Sequence, residues 1–160
     1  MIRRVSVRDA GAIADIYNAY VLNSVATFEV EPLSRLEMSR LIEEVSSRYP
    51  YLVCEADGAV CGFCYAHQWK GRAAYERTWE TTVYVAGAAV GRGVGKNLVG
   101  RLIEECRGAG AHALVACITG GNEASIRMHQ GLGFRQVSHF SQVGVKFGRW
   151  LDVVDFQLLL

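Results

Sequence analysis

The spacing of apolar residues along the chain predicts most of its secondary structure, starting near the N terminus. Val5 and Val7 alternate with polar residues and predict a first strand. Asp9 can cap the helix that follows, in which apolar side chains recur at helical spacing as far as about Asn23. The pattern then breaks, so we expect a loop or a short extended segment over 24–32.

A second helix and a β-hairpin are predicted next. Ser34 and Glu37 form a capping-box pattern in front of apolar residues at helical spacing, which predicts the helix. Two runs rich in β-branched and aromatic residues, 51–56 and 59–69, are joined by Asp57-Gly58, a strong hairpin signal. We therefore expect an antiparallel strand pair after the second helix.

The rest of the chain alternates strands and helices. We expect a loop or a short turn of helix over 70–77, a strand over 78–85, and a helix from a glycine-rich turn to about Arg107. A strand over 113–118, a helix that begins near Asn122, and two closing strands within 134–160, separated by a turn around 144–150, are expected to follow. This order predicts an α/β fold with a central mixed, mostly antiparallel sheet flanked by helices. No repeat or linker interrupts it, so residues 1–160 are expected to form a single domain.

The glycine-rich turn is the first candidate for chemistry. The predicted strand that ends at Val85 leads into Gly91, Gly93 and Gly95, and then into an amphipathic helix. Glycines let the backbone approach a ligand closely, and the free amides at a helix start favour a phosphate. A Walker loop would need Ser or Thr after Lys96, and a dinucleotide fingerprint would need G-x-G-x-x-G spacing, so neither fits. A phosphate-bearing ligand is expected here; on the turn alone, the alternative is a plain helix cap.

Composition narrows the class of partner. The formal net charge is +1 over 160 residues, with no basic block, which argues against nucleic acid or a membrane surface. The charged start has no apolar stretch behind it, and no apolar segment reaches bilayer length, so we expect a cytoplasmic protein. A small-molecule partner is the default that remains.

Five cysteines, at positions 54, 61, 64, 106 and 117, raise the question of metal or redox chemistry. Cys61 and Cys64 have C-x-x-C spacing, which occurs in zinc and redox sites. No second C-x-x-C pair and no H-x-x-x-H pattern accompanies them. We therefore expect reduced, buried cysteines and no metal.

Two segments resemble the cofactor-binding motifs of the GNAT acetyltransferases. The turn from Gly91 to Lys96 is similar to their pyrophosphate loop, with Val90 in place of the usual leading Gln or Arg. The segment from Asn122 to Phe134, in which N-x-x-S opens a helix that ends in L-G-F, is similar to their second cofactor segment. The resemblance implies the GNAT fold and acetyl-CoA as co-substrate.

Over nearly the whole chain, a narrower resemblance is to the phosphinothricin N-acetyltransferase group. The matching stretches are Tyr17-Asn18, Asn23-Ser24, Ala26 to Glu29, Arg48-Tyr49-Pro50, Trp69-Lys70, Arg72, Ala74-Tyr75, Glu80 to Val85 and Lys146 to Val153. Members of that group acetylate the amino group of phosphinothricin, methionine sulfoximine or methionine sulfone. The resemblance therefore implies an acetyl-CoA-dependent N-acetyltransferase for small amino-acid-like substrates.

Glu80 and His129 are the candidate catalytic residues. An ammonium must lose a proton before its nitrogen attacks the thioester, and a carboxylate can accept that proton directly or through water. In the group that the chain resembles, the position of Glu80, just before T-T-V-Y-V, is that of the proposed base. His129 lies seven residues after Asn122, where many GNAT enzymes carry a Tyr proposed to protonate the leaving thiolate. The alternatives are a solvent-facing strand glutamate and a packed helix histidine.

The resemblance also implies binding roles. Lys70, Arg72 and Tyr75 match positions that bind the acidic amino-acid substrate, with a solvated loop as the alternative, and Phe28 and Thr82 are expected to line the same pocket. For the co-substrate, the implied contacts are backbone groups of Val83 and Val85 on the pantetheine arm, amides of Gly91, Arg92, Gly93, Val94, Gly95 and Lys96 on the pyrophosphate, and Asn122 and Ser125 near the thioester end or as a helix cap.

Direct attack of the amine on acetyl-CoA, with no covalent enzyme intermediate and no metal, is the expected mechanism. Three alternatives stay open: another small amine as acceptor, an acyl-CoA-binding regulatory domain without activity, and a protein or peptide acetyltransferase, against which Lys70 and Arg72 argue. The resemblance also implies a homodimer, to which the segment 146–152 with Trp150 would contribute.

Overall fold

Seven strands and four α-helices make up the computed structural model, which describes residues 1–160. The strands are β1 (Ile2–Arg4), β2 (Tyr51–Ala56), β3 (Ala59–Gln68), β4 (Thr78–Val85), β5 (Ala113–Thr119), β6 (Arg135–Lys146) and β7 (Arg149–Leu159). The helices are α1 (Ala10–Asn23), α2 (Arg35–Ser46), α3 (Val94–Gly108) and α4 (Glu123–Gly131). Short 3-10 turns lie at Val7–Asp9, Ala73–Tyr75 and Gly87–Ala89.

The strands form one sheet in the order β1-β2-β3-β4-β5-β7-β6. Every neighbouring pair is antiparallel except β4 and β5, which are parallel. A parallel neighbour needs a crossover connection, and α3 supplies it. The predicted α/β fold with a mixed, mostly antiparallel sheet is therefore confirmed.

The core lies on both faces of the sheet, because alternate residues of each strand point to opposite sides. On one face α3 contributes the buried residues Leu98, Val99, Leu102, Ile103 and Cys106. On the other face α1 and α2 pack against Tyr51, Val53 and Phe63, and the apolar cluster there contains no residue of β5, β6 or β7. None of the four helices combines the length and apolar character needed to cross a membrane.

The first strand is β1, so the prediction of a strand at Val5 and Val7 is wrong. Ile2 pairs with Cys54 of β2, and Val7 already belongs to a 3-10 turn. The alternation of apolar and polar residues near the N terminus could not locate this strand, because its position is fixed by pairing with β2, which is distant in sequence.

Asp9 precedes α1 but does not cap it through its side chain. Its carboxylate instead accepts two hydrogen bonds from the Arg3 guanidinium, both 2.9 Å long, and one of 2.8 Å from the Ser6 N–H. The hydrogen bonds from Arg3 are the main reason that the pKa of Asp9 is lowered. The capping box predicted for Ser34 and Glu37 is confirmed.

The turn between β6 and β7 is shorter than the predicted segment around 144–150. Phe147 and Gly148 alone form it, with φ of 52° and 71°. Two positive φ values are typical of a type I′ turn, whose twist suits a hairpin. Asn or Gly usually occupies the first of these positions, so Phe147 gave no turn signal.

Candidate active site

Strands β4 and β5 pair only at their beginnings and then part. Their parallel pairing runs from Thr78 with Ala113 to Glu80 with Val115. Beyond Glu80 both strands continue without pairing to each other. The space between them, called the gap below, leaves backbone polar groups unpaired inside the sheet, where an extended ligand can bind as a strand would.

Val83 and Val85 present their backbone groups to the gap. The Ala86 N–H donates to the Cys61 carbonyl on β3 at 2.9 Å, and alternate residues of an antiparallel strand bond to the same neighbour. The polar groups of Val83 and Val85 therefore face β5. The Val85 carbonyl accepts a hydrogen bond of 2.6 Å from the Tyr20 hydroxyl, so the Val85 N–H and both groups of Val83 are open to a ligand.

The glycine-rich turn leads from β4 into α3. Gly91 and Gly93 both have φ of 79°, in the left-handed region that glycine adopts without strain. The Asn97 N–H donates to the Gly93 carbonyl at 3.0 Å, so the amides of residues 94–96 precede the first helical hydrogen bond. Together with the positive end of the helix dipole, these free amides form a site for an anionic group.

Gly95 and Val90 each lack a side-chain feature that matters at this turn: Gly95 has no Cβ, and Val90 has no polar group. A Cβ on Gly95 would lie 3.2 Å from the Met128 sulfur and 3.5 Å from Val85 Cγ2, so glycine lets α3 pack closely on α4 and β4. Val90 is 60% exposed and offers no side-chain donor. An anion at this turn would therefore meet backbone amides and nearby cations rather than a side chain of Val90.

Asn122 caps α4, because its side-chain oxygen accepts a hydrogen bond of 3.3 Å from the Ser125 N–H. The predicted capping role is confirmed. Both residues also line the cleft described next, so the cap does not remove them from reach of a ligand.

One cleft of about 1140 Å³ joins the gap, the glycine-rich turn and the start of α4. The predicted site residues that line it are Phe28, Glu80, Thr82, Val83, Val85, Gly91, Gly93, Val94, Gly95, Lys96, Asn122, Ser125 and His129. Arg92, Lys70, Arg72 and Tyr75 do not line it. The structure thus brings the predicted base and most of the predicted co-substrate residues together, and it leaves the predicted anion-binding side chains outside.

Lys70, Arg72 and Tyr75 lie exposed on the loop between β3 and β4. The Lys70 ammonium is 4.4 Å from the centroid of the Trp69 ring and 5.6 Å from that of Tyr75. The indole and phenol rings therefore hold Lys70 at the surface, beside the strand ends that carry His67 and Glu80.

Glu80 occupies the last paired position of β4, where the gap opens. Its side chain is 26% exposed and lines the cleft. Burial, together with the charges of Glu80 and Asp155, raises the pKa of the neighbouring Cys117 thiol on β5. The thiol therefore keeps its proton and is a poor nucleophile.

His129 on α4 is buried, with 3% of its surface exposed. Its Nδ1 lies 2.8 Å from the Ser125 carbonyl, which only accepts, so Nδ1 carries the proton. Burial lowers the pKa of the ring, and the neutral ring then has no N–H at Nε2 to donate. The ring also packs edge-on against Phe134. These contacts favour a packed histidine; the general-acid role stays a prediction.

Three tyrosines, Tyr17, Tyr20 and Tyr84, form an aromatic cluster for which no site role was predicted, and Tyr20 and Tyr84 line the cleft. The Tyr84 ring centroid lies 5.2 Å from that of Tyr17 and 5.0 Å from that of Tyr20. Burial raises the pKa of all three, and that of Tyr65 to about 12, so the phenols stay neutral. The one sequence signal, Tyr-x-x-Tyr in α1, fits an ordinary core face equally well.

Lys146 was also missed, and it fixes the segment that carries Phe28. Its ammonium donates to the carbonyls of Ser24 at 2.7 Å and Thr27 at 2.8 Å. Burial lowers the pKa of this ammonium. A Cβ on Gly144 would overlap the Phe28 ring, so β6 also packs directly on that side chain.

The five cysteines are all free, as expected. Only Cys64 and Cys106 are buried, however, and Cys117 is exposed to the cleft. Cys61 and Cys64 are three residues apart on β3 and so point to opposite faces of the sheet. No three His, Cys, Asp or Glu side chains are grouped so that they could hold a metal ion.

The fold and the cleft together define a class of protein. A strand pair that parts beside a carboxylate, followed by a helix whose first amides are free, suits an extended ligand that carries an anionic group. The model of the acetyltransferase (GNAT) domain matches residues 2–154. The chain belongs to the GNAT acetyltransferase family.

Relatives with stated activities agree with this assignment. The chain is 41% identical to the L-methionine sulfoximine/L-methionine sulfone acetyltransferase of Salmonella typhimurium strain LT2, over 99% of this chain and 94% of that one. It is 40% identical to the phosphinothricin N-acetyltransferase of Alcaligenes faecalis, over 98% of this chain and 80% of that one. The chain also superposes on the crystal structure of a phosphinothricin acetyltransferase from Sinorhizobium meliloti in complex with acetyl-CoA, with a TM-score of 0.97 and 36% identity. The match covers 100% of this chain and 88% of that one. The resemblance to this group is confirmed.

Proposed function

We propose that the protein transfers the acetyl group of acetyl-CoA to the amino group of a small amino-acid-like acceptor. The acceptor class is that of phosphinothricin, methionine sulfoximine and methionine sulfone, on which its relatives act by name. The observation that carries the proposal is the position of Glu80: it is the last residue of β4 that pairs with β5, and it lines the cleft that contains the gap and the glycine-rich turn.

The residues of the cleft fit acetyl-CoA. Its pantetheine arm contains amides that can pair with the free backbone groups of Val83 and Val85. Its pyrophosphate suits the amides from Gly91 to Lys96, and the Lys96 ammonium adds positive charge at the same helix start. Bound there, acetyl-CoA supplies the thioester that is attacked.

Direct attack is the mechanism that we propose. Glu80 accepts a proton from the acceptor ammonium, and the freed nitrogen lone pair attacks the thioester carbonyl to form the C–N bond. The C–S bond then breaks, the nitrogen loses its second proton, and the thiolate takes up a proton to leave as the thiol. A two-step route through an acyl-cysteine would need a thiolate near Glu80. The raised pKa of Cys117 opposes that route.

The acceptor would lie on the side of Glu80 where Tyr20, Phe28, Thr82 and Tyr84 line the cleft. Neutral phenols and an aromatic ring suit the apolar body of a methionine-like side chain. Lys70 and Arg72 would attract the anionic end of the acceptor from the loop beside the cleft.

We further propose that residues 1–160 act as one cytoplasmic domain and that two copies form a homodimer through the β6–β7 hairpin. Large apolar side chains that are more than half exposed are concentrated there: Val137, Phe140, Val143, Val145, Phe147 and Trp150. Apolar surface of this extent is typical of an interface, and a closed pair is the commonest homo-oligomer.

A thiol-release assay tests the proposal. Acetyl-CoA is supplied with phosphinothricin, L-methionine sulfoximine, L-methionine sulfone, a set of other small amines, or a lysine peptide. Turnover with any of the first three above the acceptor-free rate is expected. Turnover only with another small amine, or only with the peptide, would overturn the acceptor class. Acetyl-CoA binding with no turnover at all would indicate a binding domain.

A further inference from the structure

His67 lies directly across the sheet from Glu80. The two residues are register partners on β3 and β4, and His67 Nε2 is 3.8 Å from Glu80 Oε1. Their side chains are 33% and 26% exposed. A small side-chain movement or one bridging water joins the two groups by hydrogen bonds.

The orientation of the imidazole is set by its other nitrogen. His67 Nδ1 lies 2.9 Å from the Gln68 carbonyl oxygen, which only accepts, so Nδ1 carries a proton. In the neutral ring the Nε2 lone pair therefore points at Glu80. A carboxylate and a bare nitrogen that face each other share one proton readily.

The other titratable groups around the pair come from β3, β5, β7 and the loop after β3. On β3, the Tyr65 ring lies beside His67, and burial raises the pKa of this phenol to about 12. On β5, the Cys117 thiol also has a raised pKa. Asp155 on β7, beyond Cys117, accepts a hydrogen bond of 2.9 Å from the Ser138 hydroxyl and adds negative charge. On the loop after β3, the Lys70 ammonium lies over the Trp69 ring.

We infer that, in the reaction proposed above, His67 accepts from Glu80 the proton that Glu80 has taken from the acceptor. The acceptor ammonium gives one proton to the Glu80 carboxylate, and this proton passes to Nε2 of His67. Glu80 is then again a carboxylate, paired with an imidazolium. The partly exposed imidazolium releases this proton to solvent. The attacking nitrogen loses its second proton as the C–N bond forms and the C–S bond breaks, and the leaving thiolate takes up one proton. The net products are the amide, the free thiol and one proton in solution.

The basicity of His67 sets the direction in which the pH dependence of kcat should change when this side chain is replaced. If the pair holds the proton, protonation of His67 removes the proton acceptor. The acid limb of kcat then lies at a higher pH than a carboxylate alone would give, because imidazole is the stronger base. His67→Asn should therefore move the acid limb of kcat down by more than one pH unit, and lower kcat at pH 7.5 by roughly tenfold because a weaker base remains.

The experiment measures kcat against pH with saturating acetyl-CoA and L-methionine sulfone for the wild type, His67→Asn and His67→Gln. His112→Asn is the control, since His112 is an exposed imidazole outside the cleft; its profile should match the wild type. Added imidazole should restore kcat to His67→Ala, whose missing ring lies open to solvent. Thermal unfolding confirms that each variant is folded.

Two results would overturn the role of His67. An unchanged acid limb and kcat in both His67 variants would show that the proton leaves by another route. An acid limb that moves upward would show that His67 acts only as a positive charge that favours the ionised Glu80. Failure of the proposed function would look different, because the wild type itself would then acetylate none of the three named acceptors.

Discussion

Glu80 depends on one feature of its surroundings: it is the last residue of β4 that still pairs with β5. Pairing holds its backbone, while the parted strands beyond it leave its carboxylate beside open space. Glu80→Gln keeps the size and a hydrogen-bonding oxygen but cannot accept a proton. We expect kcat at neutral pH to fall by about 10²–10⁴-fold.

The same substitution should leave the affinity for acetyl-CoA nearly unchanged, because the backbone groups in the gap and at the glycine-rich turn are untouched. Steady-state kinetics and calorimetric titration with acetyl-CoA measure the two quantities separately. An unchanged kcat would remove Glu80 from the mechanism.

Asp9 is the residue whose protonation should matter most for acid stability. Arg3 lowers its pKa in the folded protein, so the contribution is present above the unfolded value, near pH 4, and is lost as pH falls through the folded pKa. Asp9→Asn should lower the free energy of unfolding by about 1.5–3 kcal/mol at pH 7, since charged hydrogen bonds are removed from a buried group.

Urea unfolding at pH 7 and at pH 3 measures this effect. The difference between the wild type and Asp9→Asn should shrink at the lower pH. Asp57→Asn is the control, since Asp57 lies in an exposed turn with φ of 53°, which asparagine tolerates. A difference that is equal at both pH values would contradict the assignment.

At the scale of elements, sequence predicted what depends on local pattern. The hairpin at Asp57-Gly58, the helix after Ser34 and the cap at Asn122 all follow from residues close together in the chain. The strand at Ile2–Arg4 did not, because its pairing with β2 is non-local.

The candidate site also contains some residues that local motifs predicted and others that depend on contacts between distant parts of the chain. Its glycine-rich turn and Glu80 were found from motifs along the chain. The opposition of His67 to Glu80 depends on the register of β3 and β4, and the contact of Lys146 with Ser24 and Thr27 joins two ends of the chain. No short motif encodes either, because each arises from chain segments that meet only in the folded sheet.

The β6–β7 hairpin reaches the acceptor side of the cleft through Gly144. Gly144→Ala would drive a methyl group into the Phe28 ring, and because Phe28 is 39% exposed the ring would rotate away rather than unfold the protein. We expect a loss of about 1 kcal/mol in acceptor binding, which is roughly a fivefold rise in the acceptor KM.

The KM for acetyl-CoA should stay the same in Gly144→Ala, because the atoms nearest to the added Cβ all belong to Phe28 and none to β4 or the glycine-rich turn. Gly108→Ala is the matched control: a Cβ there meets nothing within 4 Å. An equal rise in both KM values would show a general distortion instead.

At the scale of the whole molecule, the exposed apolar side chains of the β6–β7 hairpin lead to the proposed dimer. Trp150 is the largest of them and is 66% exposed. Trp150→Glu should convert the dimer to a monomer, since a charge would have to be buried without a partner. Light scattering coupled to gel filtration measures the mass in solution.

Leu36→Glu serves as the control for this experiment, because Leu36 is 60% exposed on α2, away from the hairpin. It should remain dimeric. A wild type that runs as a monomer at all concentrations tested would contradict the dimer.

The gap between β4 and β5 also bears on how the protein exchanges its amide hydrogens. Interior strands usually retain their hydrogens longest, because each N–H is bonded on both sides of the strand. Here the N–H groups of Val83 and Val85 lie in the middle of the sheet yet have no strand partner, whereas Ala86 is bonded to β3. Deuterium should therefore enter an interior strand at alternate residues, and it should enter more slowly once a ligand supplies the missing acceptors. Ligand binding could then be measured as slower exchange of the Val83 and Val85 N–H groups, without any turnover.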